Sequence, residues 1–367
     1  MNVVVVGAGI VGLCAARFIA EKGIEVDVYD SKKSLEDGAA KASGILSVRG
    51  LESLGIDYSD AIVNSLRGAR LHAAGRSLVI KSDKVEARVV DRGILAREAG
   101  RAAEEAGVRI HLSERLGRER IADIGSSEDT ILVGADGAVS NVASTFGFPK
   151  IGEYVLTYKA EADMPAGGEG DSVDIFFSKN ISHGLFGWSV PYSSDHVELG
   201  LGVGGKQKVS SKLAFDMFIS ADAISGVSLG SIHNGHASMI PLKPRSKTVH
   251  GNVALVGDSA GQVKATTGGG IVFGVGCAKV LADSVKRTID GTSRLDGYET
   301  AWRKAYGTDL MMHRMIHRYY MAAGDAYLGA TFSIMKLLGF EGFFGRHGDM
   351  DRPMRMLKSL LTFGLVG

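Results

Sequence analysis

The run Asn2-Val3-Val4-Val5-Val6-Gly7-Ala8-Gly9-Ile10-Val11-Gly12 decides the fold. Four successive valines read as a strand buried on both faces, too short for a secretory core segment. The glycines then fall in the order Gly7-x-Gly9-x-x-Gly12, at the step from strand to helix. Gly7 permits the tight turn, Gly9 lets the backbone approach a pyrophosphate, and Gly12 lets helix and strand pack closely. The helix that follows carries Leu13, Ala16, Ile19 and Ala20 at helical spacing and ends at Gly23. A second strand, Glu25-Val26-Asp27-Val28-Tyr29-Asp30, closes a strand–helix–strand unit of a parallel sheet. Asp30, at its end, is where an acid accepts hydrogen bonds from a ribose.

Outward from this unit, residues 66–90 read as short strands and turns, 93–107 as an Ala- and Glu-rich helix, and 108–112 as a short strand. Residues 130–137 read as a strand and turn ending in Asp136-Gly137. From about 151 to 240, aromatic-containing strands such as Val173-Asp174-Ile175-Phe176-Phe177 alternate with turns, which predicts a mostly antiparallel sheet. At 252–258 the parallel-strand texture returns, and a helix follows from about Gly270. The expected fold class is therefore α/β: a discontinuous Rossmann-like nucleotide domain (residues 1–65, 85–150 and 241–290) with an inserted substrate domain. That insertion takes 66–84 and 151–240, and a helical C-terminal region takes 291–367. Neither internal repeats nor low-complexity segments are evident.

A chain of 367 residues can bury a large core. Its 42 basic and 41 acidic residues leave a net charge of +1, which gives no support for a nucleic-acid partner. Fifty glycines against six prolines suit a backbone that approaches a ligand at several points. The two cysteines, Cys14 and Cys277, sit in expected helices as core residues, and no disulfide framework is suggested. A cytoplasmic setting is expected.

A second motif narrows the cofactor. Asn252-Val253-Ala254-Leu255-Val256-Gly257-Asp258-Ser259-Ala260-Gly261 leads into Thr266-Thr267-Gly268-Gly269-Gly270-Ile271. A two-part cofactor with a ribityl chain needs a second contact point on the sheet, and Asp258 can accept from a ribityl hydroxyl. The glycine run lets the next helix begin against an isoalloxazine ring, where its N-terminus favours negative charge. A single NAD site requires none of this, so FAD is the expected cofactor, with no metal.

Together with Val89-Val90-Asp91-Arg92 and Gly134-Ala135-Asp136-Gly137, these elements resemble the FAD-binding core of the p-hydroxybenzoate hydroxylase type. The resemblance implies that Arg92 lies over the cofactor, that Asp136 and Gly137 lie near the pyrophosphate, and that a backbone contact near Leu116 serves the adenine side. A narrower resemblance spans nearly the whole chain. Lys41-Ala42-Ser43-Gly44-Ile45-Leu46-Ser47, Gly184-Leu185-Phe186-Gly187-Trp188-Ser189-Val190-Pro191, the stretch from Gly257 to Ile271, and Gly348-Asp349-Met350-Asp351-Arg352-Pro353 are similar to the geranylgeranyl reductase family. The chain departs from that pattern at Ser43 (family cysteine), Ala265 (proline), Phe186 (tyrosine) and Val190 (phenylalanine).

The family resemblance implies an FAD-dependent reductase that saturates carbon–carbon double bonds of a polyprenyl lipid, with hydride from reduced flavin and a proton from elsewhere. It implies cofactor contacts from Gly7, Gly9, Val11, Gly12, Asp30, Ser43, Gly44, Leu46, Arg92, Leu116, Asp136, Gly137, Asp258, Gly268, Gly269, Gly270 and Ile271. Ser43 and Trp188 are the candidate catalytic residues, and Phe186, Trp188 and Pro191 the candidate apolar wall for the lipid. The electron donor, whether NAD(P)H, ferredoxin or another reductant, is not specified. Competing readings are a flavin-dependent monooxygenase or halogenase-like enzyme, and a non-enzymatic prenyl-binding flavoprotein. His313 and His317, at i and i+4, read as helix-surface or interface residues without an acidic third ligand. His183 reads as a loop histidine. Basic residues at 352, 355 and 358 beside a Met/Leu/Phe face suit peripheral association with the inner membrane surface.

Overall fold

The computed structural model describes residues 1–39, 43–163, 170–204, 209–221 and 229–363. Its first sheet has six strands in the order Val249–His250, Val253–Leu255, Thr130–Gly134, Asn2–Val6, Val26–Tyr29, Arg109–His111. All neighbours pair in parallel except the two-residue edge strand. Val3 to Val6 are buried as a parallel strand between helical layers requires. On one face the helices Ile10–Ala20, Arg92–Glu105 and Ile271–Ile289 share a core with Leu13, Leu95, Phe273 and Leu281. On the other, Ile121, Val142 and Phe148 cover Val4, Val6 and Leu132. Cys14 and Cys277 are both buried in helices, and burial pushes the Cys14 thiol up to about 12.

The second sheet has seven strands: Ile232–Pro241, Tyr154–Asp163, His196–Gly204, Gly184–Pro191, Ser172–Phe177, Gly68–Ala73 and Arg76–Lys81. Only Ser172–Phe177 and Gly68–Ala73 pair in parallel. Val197, Leu199, Leu201 and Val203 point to one face, where the helix Ser211–Ile219 adds Phe215 and Phe218. The alternate residues Glu198, Gly200 and Gly202 therefore face the other side. A small antiparallel sheet of Ile45–Ser47, Ala87–Val90 and Ile62–Leu66 joins the two large ones. The architecture is the expected α/β arrangement with a mostly antiparallel sheet and a helical tail.

The tail opens with Gly297–Trp302, which continues through a π-helical segment, Arg303–Gly307, into Thr308–Ala322. Asp325–Leu337, Phe340–His347 and Pro353–Phe363 follow. Sequence spacing placed His313 and His317 on a helix surface or at an interface, but the fold buries both. His313 pairs through Nδ1 with Thr266 Oγ1 at 2.7 Å and through Nε2 with the Asp351 carbonyl at 3.1 Å. His317 Nε2 lies 2.9 Å from the Gly184 carbonyl. Both rings are spent on holding the tail against the molecule. Burial and the Lys264 ammonium pull His313 down to about 4, so it is neutral near pH 7.

The segment before the last helix is a clasp. Asp349 Oδ1 accepts the backbone N–H groups of Asp351 and Arg352 at 3.0 and 2.8 Å, and Pro353 then opens the helix. Asp351 is aimed inward, where it takes hydrogen bonds from Lys264 Nζ at 2.5 Å and from the Ser47 hydroxyl. Both charged side chains are almost fully buried. Burial alone would raise the Asp351 carboxyl, but Lys264 and Ser47 together hold it below its ordinary value. Replacing Asp351 by alanine leaves the buried Lys264 ammonium without a counter-charge, with only the Met350 carbonyl at 3.3 Å to accept from it. We expect a loss of about 3–5 kcal/mol in chemical denaturation, with most of it recovered in Lys264→Met/Asp351→Leu.

Candidate active site

At the pyrophosphate end, the glycines are needed for two different reasons. Gly7 has φ +110°, and a Cβ there would lie 2.4 Å from the Ala135 carbonyl oxygen; a Cβ on Gly12 would lie 2.0 Å from the Gly7 oxygen. Both positions are filled by the protein's own backbone. Gly9 differs, since a Cβ there would meet nothing within 4 Å. It caps the helix Ile10–Ala20 without a side chain and faces open space at the helix N-terminus, where an anion is stabilised. Asp30 accepts the Ala8 N–H at 2.7 Å and the Lys32 N–H at 3.0 Å. A carboxylate has about four acceptor positions, so capacity remains for hydroxyl donors. Lys32 Nζ donates to the Ala8 carbonyl at 2.6 Å, so the loop is pinned from both sides. The sequence reading missed Lys32.

Asp136 and Gly137 are brought beside Gly7, because the Asp136 nitrogen would lie 3.0 Å from a Gly7 Cβ. The Asp136 side chain is spent locally. It accepts the Ser140 hydroxyl at 2.5 Å and the Val142 N–H at 3.1 Å, and burial raises its carboxyl. What it offers a cofactor is therefore backbone, with Gly137 at φ +81°. Leu116 is half-buried against the cluster around Val4 and Val6.

Val11 links the two loops. A Cβ on Gly257 would come 3.0 Å from one Val11 methyl, and one on Gly274 would come 2.7 Å from the other. Asp258 thus arrives next to the first loop. A Cβ on Gly270 would meet Asp258 Oδ1 at 2.6 Å, and one on Gly269 would meet Lys264 Cε at 2.8 Å. Gly268 has φ +74°, and Ile271 begins the long helix. Burial raises the Asp258 carboxyl and lowers Arg92, while each charge favours the other.

Ser43 and Arg92 come together through the small sheet. The Val90 N–H donates to the Gly44 carbonyl at 3.0 Å, and a Cβ on Gly44 would strike the Val90 oxygen at 2.1 Å. Ser43 precedes this pair and Arg92 follows it by two residues. Leu46, opposite Arg88, is buried in the main core. Lys41 and Ala42 lie outside the described residues. Two buried polar atoms here have no partner in the protein: Ser43 Oγ and Arg92 Nε. Such groups are costly unless something else satisfies them. With the open cradle at Gly9, they fit a long polar cofactor laid from one loop to the other.

Phe186 and Trp188 lie on the inner face of the second sheet, with ring centroids 6.3 Å apart. Phe177, Tyr320 and Phe332 extend the aromatic surface. The same apolar cluster contains Ile45 and Ala265, one beside Gly44 and the other in the distal loop. Tyr320 donates to the Thr266 carbonyl at 3.1 Å. Pro191 is at the strand end, where its carbonyl accepts from Asn64 Nδ2 at 2.8 Å. Trp188 sits over Gly200, where a Cβ would come 2.2 Å from its ring. Its indole N–H donates to Glu198 at 3.0 Å. Glu198 is fully buried and also takes Lys159 Nζ and the Tyr192 hydroxyl. The sequence reading missed this network. Its signal was an acid at an inward position of a Leu/Gly strand. His183, by contrast, is exposed.

A family model for FAD dependent oxidoreductases matches residues 2–81. A digeranylgeranylglycerophospholipid reductase of Methanothrix thermoacetophila is 27% identical over 88% of this chain and 88% of its own length. A second protein of that name, from Methanothermobacter thermautotrophicus, is 27% identical over 93% and 92%. The crystal structure of a geranylgeranyl bacteriochlorophyll reductase-like protein from Thermoplasma acidophilum has the same fold, with TM-score 0.79 at 17% identity over 98% and 95% of the two chains. A flavin-dependent brominase shares the fold at TM-score 0.70 and 12% identity, over 100% and 99%.

The facing loops and the fold define an FAD-dependent oxidoreductase, and FAD is its cofactor. Within that class the chain is related over most of its length to the geranylgeranyl reductase family. The two glycines of the first loop give a paired test. Gly9→Ala blocks only the open cradle, so FAD content should fall at least tenfold with the apoprotein's melting temperature unchanged. Gly12→Ala should lower both, because its methyl meets backbone. Visible flavin absorbance per chain and thermal melts of the apoproteins read the two effects.

Proposed function

We propose that this oxidoreductase saturates carbon–carbon double bonds of a polyprenyl lipid of the geranylgeranyl class. The carrying observation is the continuous apolar cluster that joins the distal loop at Ala265 and the Ser43 segment at Ile45 to Phe186, Trp188 and Tyr320. An isoprenoid chain has no polar handle along its length, so it needs such a surface to be held against the redox centre. The names of the archaeal relatives support the same substrate class.

Bound and reduced, FAD supplies a hydride equivalent to one alkene carbon. In this reading the loop shaped by Gly7 and Gly12 would hold the pyrophosphate at the open Gly9 position, Asp30 would hold the ribose and Asp258 the ribityl chain. Arg92 Nε and Ser43 Oγ donate hydrogen bonds to the cofactor. Gly268, Gly269, Gly270 and Ile271 would let the start of the long helix lie against it. Phe186 and Trp188 orient the lipid and exclude water, and Glu198 fixes the indole in one orientation. A serine hydroxyl is a weak acid, and Ser43 Oγ has no partner in the protein to draw a proton from. It would therefore serve to hold the cofactor, and the proton for the second alkene carbon would come from solvent. Replacing Trp188 by alanine should lower turnover more than FAD content. Anaerobic incubation of the reduced protein with geranylgeranyl lipids should give products heavier by two hydrogens per bond in mass spectrometry. An oxygenated or halogenated product, or unchanged lipid, would sink the reading.

Such a substrate resides in a membrane. Among the described residues no helix is long and apolar enough to cross one. The helices Thr308–Ala322 and Asp325–Leu337 expose Met311, Met315, Ile334 and Leu337, the last at 86%. The helix Pro353–Phe363 adds exposed Arg355 and Lys358. We read this side as resting on an anionic surface, with the apolar residues in the headgroup layer. Co-sedimentation with anionic vesicles should be strong for the native protein and reduced at least fivefold in Arg355→Glu/Lys358→Glu. Native protein that stayed in the supernatant would overturn the reading.

A further inference from the structure

At the outer end of the second sheet, three strands bring together two histidines and two carboxylates that the flavin site does not use. Asp163 pairs in register with His196, and Glu161 with His233. The register of Tyr154–Asp163 with Ile232–Pro241 shifts between Lys159 and Glu161, and this irregularity carries His233 onto the face of Asp163 and His196.

We propose that Asp163, His196 and His233 bind a divalent transition metal ion. Asp163 Oδ1 lies 3.8 Å from His196 Nδ1 and 3.5 Å from His233 Nε2. One ligand atom from each of the three falls within 4.8 Å of the others. These separations are longer than hydrogen bonds, which span about 2.7–3.2 Å. They are close to the roughly 3.3–3.4 Å that separates ligand atoms bonded at about 2.0–2.1 Å around a tetrahedral zinc ion. The side chains are spaced to hold something between them.

The opposite nitrogens carry the second half of the argument. Glu161 Oε2 lies 3.6 Å from His196 Nε2 and 3.8 Å from His233 Nδ1. One carboxylate therefore faces the ring nitrogens that point away from Asp163. Metal-bound imidazoles are oriented by a carboxylate or carbonyl on the far nitrogen. Glu161, just beyond hydrogen-bond distance here, would supply that contact once the rings close on an ion. Glu161 is itself held by Asn234 Nδ2 at 2.7 Å. The two rings stack with centroids 5.5 Å apart, and the Tyr192 ring meets His196 edge-on at 6.0 Å.

Charge points the same way. Among the described residues, neither Glu161 nor Asp163 pairs with a lysine or arginine. Lys159, two residues before Glu161 on the same face, is spent on Glu198. With neutral imidazoles the cluster carries two negative charges, which a divalent ion balances. Two nitrogens and one oxygen suit zinc and its neighbours rather than calcium or magnesium, which take oxygen. The partial exposure of all three ligands leaves room for water at the remaining position.

The test uses untagged, full-length flavoprotein stripped with a chelator and then titrated with Zn2+ by calorimetry, with bound metal counted by elemental analysis. One zinc per chain at micromolar affinity is expected. Asp163→Asn, His196→Ala and His233→Ala should each weaken binding at least tenfold, and Glu161→Gln by about tenfold through the outer contact. His183→Ala, an exposed histidine elsewhere, should bind as the native protein does. Retained flavin absorbance shows that each variant is folded. Absence of saturable binding, or binding that persists undiminished in His196→Ala and His233→Ala, would overturn the proposal.

Discussion

The structure depends on the close meeting of three parallel strand ends at Gly134 and Ala135. The Ala135 N–H donates to the Val6 carbonyl at 2.8 Å, and the Gly134 carbonyl accepts the Val256 N–H at 3.0 Å and the Ser259 hydroxyl at 2.6 Å. The first glycine loop and the distal one are thereby stitched to the same central strand. Neither Gly7 nor Gly12 has room for a side chain beside that junction. One cofactor can then reach both loops, although they lie about 250 residues apart in the chain.

Polar groups buried around the site fall into two kinds. Glu198, Lys159, Trp188 and Tyr192 satisfy one another, and so do Asp351, Lys264 and Ser47. Such closed networks specify a single arrangement of their surroundings at the cost of desolvation. Ser43 Oγ and Arg92 Nε are left open. Arg17 Nε and Thr145 Oγ1 are buried without a hydrogen-bond partner too, but Ser43 Oγ and Arg92 Nε are the two that stand beside Gly44 and Asp258, where the cofactor is expected. The clasp at Asp351 also ties the C-terminal helix to the distal loop through Lys264 and to the Ser43–Ser47 segment through Ser47.

Much of this was legible in the chain. The valine run, the spacing of Gly7, Gly9 and Gly12, and the return of parallel-strand texture at 252–258 follow from backbone rules that act over a few residues. The positions of Ser43 and Trp188 were legible only through likeness to a family. Sequence alone misplaced His313 and His317, because i, i+4 spacing gives a helix face but not what covers it. It passed over Lys159, Glu198 and Lys264, since a charged residue in a strand or loop is ordinarily exposed.

By itself, then, the sequence determined the two glycine loops, the α/β character and the helical tail, because steric limits on glycine and hydrophobic periodicity are local. Only the tertiary structure decided which side chains meet. It brought Arg92 to Asp258, Trp188 to Glu198, the tail to the distal loop, and His196 and His233 to Asp163. Those on the second sheet depend on strand order, on register and on the irregularity between Lys159 and Glu161, where a shift of one residue turns a strand's side chains to the opposite face.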